Sequence, residues 1–189
     1  MPYLKLITGP SSEPITAAQV RLYSRINYDA EESLIAMWIT AARREAENYL
    51  RRSLLTQTWM MGLDEWPQRP LDILRPPLQS VSFVNYYAYT NEMFSYPLAN
   101  LIVDNSSASG RISLGFAKLW PFTILRPIDS IQIQYTAGYG ATAAFIPANI
   151  IDAMLLFCAY RYENRTAEGG EMPRHFYDLL DPDRVYSGL

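Results

Sequence analysis

The chain has 189 residues, 49% of them hydrophobic and 19% charged, which supplies a core for one domain or a domain carrying a lobe and excludes wholesale disorder. A net charge of −3 excludes the global basic field that gathers nucleic acid. The single cysteine, Cys158, excludes an internal disulfide and suits a reducing compartment.

Lys5, Gly9 and Pro10 interrupt the N-terminal run, so no secretory signal is read there. The strongest apolar run, near 154–160, is too short to cross a bilayer. The expectation is a soluble, intracellular protein with no membrane partner. Apart from Lys5 and Lys118, every basic residue bar His175 is arginine. Arginine suits buried or bidentate pairing at interfaces, and lineage bias explains the same skew.

In chain order, Thr16 opens "TAAQ", a capping-box spacing, and predicts a short helix over 17–23. Asp29 opens "DAEE", the same device, before a helix predicted to run from about 30 to 52. Ile35, Ile39, Ala42, Ala46 and Tyr49 form one stripe of it, with Leu34 and Trp38 beside them. Arg43, Arg44, Glu47 and Arg51 fall mainly on the opposite, wet side. From Thr56 the period becomes two: Trp59, Met61 and Leu63 share one face, and Thr58, Met60 and Asp64 the other. Pro67, Pro70, Pro76 and Pro77 limit any strand at 71–74 to a short edge. "SVSFVNYYAYT", "LIVD", "RISL" and "SIQIQYT" read as strands, with "NSSASG" (105–110) and "GYGA" (138–141) as turns. Helical period returns after Pro147, in "ANIIDAMLLFCAYRYENR" to about 165, a helix apolar on nearly every side. Its uncovered sides call for a neighbouring subunit, or for total burial within the monomer. "TAEGGEMP" reads as a linker, and a short amphipathic segment and tail follow.

The fold class expected is therefore α+β. A discontinuous helical core (1–54 with 142–165) packs a helix near 30–52 on one near 148–165. An antiparallel β lobe (55–141) is inserted in it, and a docking segment (166–189) follows.

Convergent chemistry is sparse. His175 is the sole histidine and Cys158 has no cysteine partner, so no ordinary zinc set exists within one chain. A Cys158–His175 dyad is formally possible, but a cysteine on an apolar helix acts as a small hydrophobe. "GYG" (138–140) lacks phosphate-loop spacing. Glu31 and Glu32 are explained by the helix N-terminus. Asp178, Asp181 and Asp183 could meet a cation, though "DPD" also reads as a solvated turn. No catalytic, metal or cofactor residues are assigned and no cofactor is expected. The cluster Tyr86, Tyr87, Tyr89, Phe94 and Tyr96 stands out, either as a packed face, as a protein interface, or as a surface for sugars or bases.

The segments "PITAAQ", "DAEESLIAMWITAARREAENYLRRSLLTQTW", "LRPPLQSV", "YTAGYG" and "PANIIDAMLLFCAYRYENR", in this order, resemble the head–tail connector (adaptor, or head-completion) family of tailed bacteriophages. The resemblance is weakest over 86–125 and in the tail, and does not separate a phage, prophage or gene-transfer-agent source. It implies a non-enzymatic virion protein, a homo-oligomeric ring usually of twelve copies beneath the portal. Such a ring extends the DNA channel, passes DNA without reading its sequence, and bears a stopper or tail-completion protein. It further implies helices for ring packing and a C-terminal segment that engages the portal protein. In this chain the portal-docking candidates are Phe176, Leu179 and Leu180, spaced along one helical face, and the anchor Arg184, Val185 and Tyr186, with docking onto the protein's own body as the alternative. Candidates for subunit or tail contacts are Tyr86, Tyr87, Tyr89, Met154 and Leu155. The alternative is a β-rich ligand- or receptor-binding module of a virion or cell surface.

Overall fold

The computed structural model describes residues 3–26, 31–107, 109–165 and 171–186. They form two compact units: Pro10–Leu55 with Tyr139–Leu189, and Met1–Gly9 with Thr56–Gly138.

The first unit is helical. Helix α1 (Ala17–Ser24) starts on the expected capping box. The Thr16 hydroxyl accepts from the Gln19 N–H at 3.2 Å, while the Gln19 side-chain oxygen accepts from the Thr16 N–H at 2.8 Å, satisfying two donors that a helix start leaves open. Helix α2 (Glu32–Leu50) follows; the cap expected at Asp29 lies outside the described residues. Ile35, Trp38, Ile39, Ala42 and Ala46 of the expected stripe and its flank are buried along it, Leu34 and Tyr49 are half-buried, and Leu50, outside the expected stripe, is buried as well. Helix α3 (Ala148–Glu163) begins directly after Pro147, whose fixed φ suits a helix entry. Its Ile150, Ala153, Met154, Phe157 and Cys158 are buried in the same core as the α2 stripe, so the two long helices pack as expected. Helix α4 (Arg174–Leu180) closes this core with Phe176 and Leu180, and a 3₁₀ turn, Asp181–Asp183, ends it at Pro182.

One expectation for α2 is corrected. Arg43 and Glu47, read as solvated, are 7% and 6% exposed. The Arg43 guanidinium donates to Glu13 at 2.7 and 3.3 Å and to Glu47 at 3.0 Å. Glu47 also accepts the Leu54 N–H at 2.9 Å, and Thr40 donates to Glu13 at 2.9 Å. Burial alone would weaken the Arg43 charge, but the two carboxylates more than offset it and raise its pKa. The cluster pins the strand entering α1 and the chain leaving α2 to one helical turn.

The second unit is β-rich. Its main sheet runs β1 (Tyr3–Thr8), β2 (Gln57–Leu63), β8 (Ile131–Ala137), β4 (Leu78–Tyr87), β5 (Met93–Tyr96), every neighbouring pair antiparallel. A smaller sheet joins β3 (Leu71–Asp72), β7 (Arg111–Leu114) and β6 (Leu101–Asp104). Strand β8 alternates as its sequence requires: Ile131, Ile133 and Tyr135 are buried while Gln132, Gln134 and Thr136 are partly exposed. Trp59 and Met61 of β2 pair with Tyr135 and Ile133. The buried Tyr135 hydroxyl donates to the Leu74 carbonyl at 2.6 Å, and burial pushes its pKa up. Strand β4 carries two bulges, at Leu78/Ser80 and Val81/Phe83, which locally shift its pairing. Gly110 is required: its φ is +71°, and a Cβ there would lie 2.5 Å from that of Leu78.

Two boundaries differ from the sequence reading. Residues 3–8, assigned there to the helical core, supply an edge strand of the main sheet. Residues 171–186, assigned there to a separate docking segment, belong to the helical unit. The causes differ: β1, exposed at five of its six residues, is held by its backbone ladder with β2, whereas α4 joins the helical core by burying Phe176 and Leu180.

Candidate functional site

The aromatic cluster of the β unit divides into built-in and free members. Tyr86 opposes Phe94 in the β4–β5 register and stacks on it with centroids 5.4 Å apart. Its other side meets the edge of Trp66 at 5.4 Å. Trp66 stacks on Trp120 at 4.4 Å, and Tyr96 lies 5.0 Å from Trp120. The Trp120 indole donates to the Pro67 carbonyl at 3.1 Å. The Tyr87 ring carries the Arg126 guanidinium at 3.8 Å, within cation–π range, and its hydroxyl pairs with Gln132. Tyr86 and Tyr87 are thus half-buried parts of the unit, and Tyr89 alone of the three, 72% exposed, is free for a partner.

A neighbouring surface escapes the sequence reading. The segment 115–130 joins β7 to β8 and exposes Phe116 (98%), Phe122 (92%), Leu119, Ile124 and Ile128. Backbone bonds hold its course: Gly115 N–H to Asn100, Tyr89 N–H to Ile124, Arg126 N–H to Tyr87 and Tyr87 N–H to Ser130. Arg126 further donates to the Asp129 carbonyl and carboxylate. The signal in the sequence is a run of large apolar residues with neither a two- nor a 3.6-residue period, interrupted by Pro121 and Pro127.

On α3, Met154 is fully buried in its own unit's core and is corrected as a surface candidate. Leu155 is half-buried, as are Ile151 and Leu156. A groove of about 530 Å³ lies along this helix, lined by Tyr23, Leu156, Ala159, Tyr160, Glu163 and Pro173 among others.

The C-terminal candidates divide likewise. Phe176 and Leu180 are wholly buried, with the Phe157 ring 5.8 Å from Phe176, so neither is offered to a partner, and their reading as docking side chains is corrected. Leu179 is half-buried, and its carbonyl accepts from Asn149 at 2.8 Å. Beyond Pro182 the chain is tied down: Arg52 donates to the Asp183 carbonyl at 2.6 Å, and the Val185 N–H to the Leu50 carbonyl at 3.0 Å. Arg184 lies over Tyr49 at 4.4 Å and near Tyr186 at 5.3 Å. Tyr186, 73% exposed, is the candidate that faces solvent. The expected linker, at 166–170, lies outside the described residues.

The chemically suggestive groups serve structure. Cys158 is buried, and burial pushes its thiol up to about 12, which denies it the thiolate a nucleophile needs; His175 is exposed on α4. Asp181 accepts from the Tyr49 hydroxyl at 2.5 Å and Asp183 from Asn149 at 2.8 Å, while Asp178 stands 3.6 Å from Arg174. Among the described residues no group of His, Cys, Asp and Glu is placed to hold a metal ion. Glu31 accepts two bonds from Arg165 at 2.5 Å, which holds its carboxyl below the ordinary range. In "GYG", the Gly138 N–H donates to Pro77, and a Cβ on Gly140 would lie 2.4 Å from the Phe145 ring. Gly138, at φ +134°, serves the backbone turn, and Gly140 serves close packing.

No family model matches the chain, and no curated protein does. Solved structures do. A chain from the virion of a native gene transfer agent particle superposes with a TM-score of 0.81 at 19% identity, over 98% of this chain and 97% of that one. Two chains from necks of such particles superpose over 99% of this chain and 97% of theirs at 20% identity. One is from an empty particle computed with C6 symmetry, at a TM-score of 0.81; the other is from a native particle computed with C12 symmetry, at 0.74. Over its whole length, this chain has the fold of proteins found in the virion and neck of a phage-like particle.

Proposed function

We propose that the chain is a structural component of the neck of a phage-like particle, a head–tail connector. In this reading it forms a homo-oligomeric ring, of twelve copies, beneath the portal protein, extends the DNA channel and carries a stopper or tail-completion protein. The observation that carries the reading is end-to-end agreement of fold, both units included, with chains of virion and neck assemblies. Two further features support it. The sequence motifs that resemble connectors lie on the elements that build both cores. The large apolar side chains exposed on 115–130 are what an assembled subunit needs and a solitary one does not.

DNA would pass through such a ring unread, since a sliding polyanion is hindered by tight base contacts. The role is structural, with no reaction assigned. Portal contact falls to the exposed end of the C-terminal segment, around Tyr186, rather than to the buried face of α4. The test is electron microscopy of the chain co-expressed with its portal protein. A ring seated coaxially on the portal is the expected result. A chain that stays monomeric beside the portal and instead retains a small ligand overturns the reading in favour of a binding module.

A further inference from the structure

We propose that segment 115–130 is the arm by which one copy grips the next, its Phe116 and Phe122 lodging in the groove along α3 of the adjacent copy. The proposal rests on the ring reading above and names the contact that builds it.

Five large apolar side chains within thirteen residues, Phe116, Leu119, Phe122, Ile124 and Ile128, are each at least 70% exposed. At roughly 150–200 Å² for each buried phenylalanine, with the three aliphatic side chains adding to them, they offer on the order of 800 Å² in sum, about one side of a standard protein interface. A flexible loop of this composition would collapse onto its own unit. This one is held out by the Trp66–Trp120 stack, the Trp120–Pro67 bond and the backbone bonds to Tyr87, Tyr89 and Asn100. Its ordering cost is therefore met before binding, the condition for a tight contact.

A second copy is the occupant because the arm alone supplies one side of a standard interface, and a ring needs that area matched on each copy. Arm-on-arm contact is isologous and closes at two copies; a ring requires two different surfaces in head-to-tail contact. The second surface must be open and offer apolar contact. The groove beside Leu156, Ala159 and Tyr160 does so within a mixed lining that also includes Ser24, Arg25 and Glu163, and its volume of about 530 Å³ leaves room for two phenyl rings. The half-buried Ile151 and Leu155 continue the apolar surface along α3.

The test mixes two single-site variants, an epitope-tagged Phe122→Cys chain and an untagged Ala159→Cys chain, under mild oxidation. It is run on the free protein and with portal protein present. The native Cys158 is buried and stays out of the reaction. The expected product is a mixed disulfide dimer, at least tenfold above a control pairing Phe122→Cys with the exposed-site variant Arg174→Cys. A mixed product no greater than the control overturns the contact. So does a Phe122→Cys self-dimer as main product, or linkage of the arm to another particle protein alone. A ring imaged on the portal without the mixed disulfide refutes this contact and leaves the neck reading standing. A mixed disulfide without any ring refutes the neck reading and leaves the contact.

Discussion

Phe176→Ala separates a side chain that binds a partner from one that holds the fold. Phe176 is fully buried, with Phe157 at 5.8 Å and Tyr177 at 5.1 Å. Truncating a buried phenylalanine costs about 3–5 kcal/mol, against a typical total of about 5–15 kcal/mol. Helix α4 has only seven residues and can relax into the vacated space, which favours the lower end. With a urea dependence of about 2 kcal/mol per molar, the midpoint should fall by roughly 1.5 M. Far-ultraviolet circular dichroism is the assay, because α1 to α4 lie in the helical unit. Run in a Trp38→Phe background, tryptophan fluorescence gives the β unit an independent reading, since the remaining Trp59, Trp66 and Trp120 lie there. The expected outcome is an early loss of helix with the β transition unmoved. Deleting 174–189 should act in the same direction and more strongly, since Leu180 goes too. A helix midpoint within about 0.3 M of the parent, with portal binding lost, would refute the reasoning and restore Phe176 as a docking residue.

Four other outcomes are expected. Glu47→Ala should cost about 3 kcal/mol in urea titration, because Arg43 keeps Glu13 but the Leu54 N–H loses its acceptor; Arg174→Ala, in an exposed pair, should leave the midpoint unmoved. Cys158 should resist thiol reagents at mildly alkaline pH until the chain unfolds, and prompt labelling of the native protein would show that its helix is not packed as described. Asp104 accepts from Ser106, Arg111 and Ser107, which hold its carboxyl well below the usual range. The folded pKa being depressed, its contribution is present above about pH 4 and is lost as pH falls through the lower folded value. The β6–β7 turn should therefore keep its carbon-13 carboxylate signal below the pH at which a free aspartate protonates, and an ordinary titration there would contradict the bonding. In mobility assays DNA binding should be weak and abolished by salt, whereas sequence-specific binding that survives high salt would oppose a channel role.

The elements legible in the sequence were those whose burial is decided locally. The α2 stripe from Ile35 to Ala46 and the alternation of Ile131, Ile133 and Tyr135 follow from period alone, because each element faces one core. The Thr16 cap was legible because its partner, Gln19, is three residues away. What escaped depends on distant partners. "YLKLIT" has no strong alternation and finds its place only because β2, some fifty residues later, presents an open edge to it. Arg43 and Glu47 look like an ordinary solvated i,i+4 pair, and only Glu13, thirty residues upstream, turns them into a buried cluster.

The same distinction governs the candidate surfaces. Amphipathic spacing in Phe176, Leu179 and Leu180 shows that a face must be buried, but spacing carries no information on whether its cover comes from this chain or another. Here Phe157 supplies it for Phe176, Leu180 is buried in the same core, and the docking reading of those two side chains is corrected at that step. Tyr86 and Tyr87 show a related limit: aromatic side chains serve packed faces and interfaces equally, and here Trp66 and Arg126 take up part of each ring while the rest stays half-exposed. Segment 115–130 is the converse case. Its aperiodic run fits neither helix nor sheet, so no pattern rule marks it, yet aperiodicity in a strongly apolar stretch is itself the sign of a surface with no cover in its own unit. Periodic apolar residues are therefore a guide to the cores of this chain, and the exposed aperiodic ones to the surfaces its own unit leaves open.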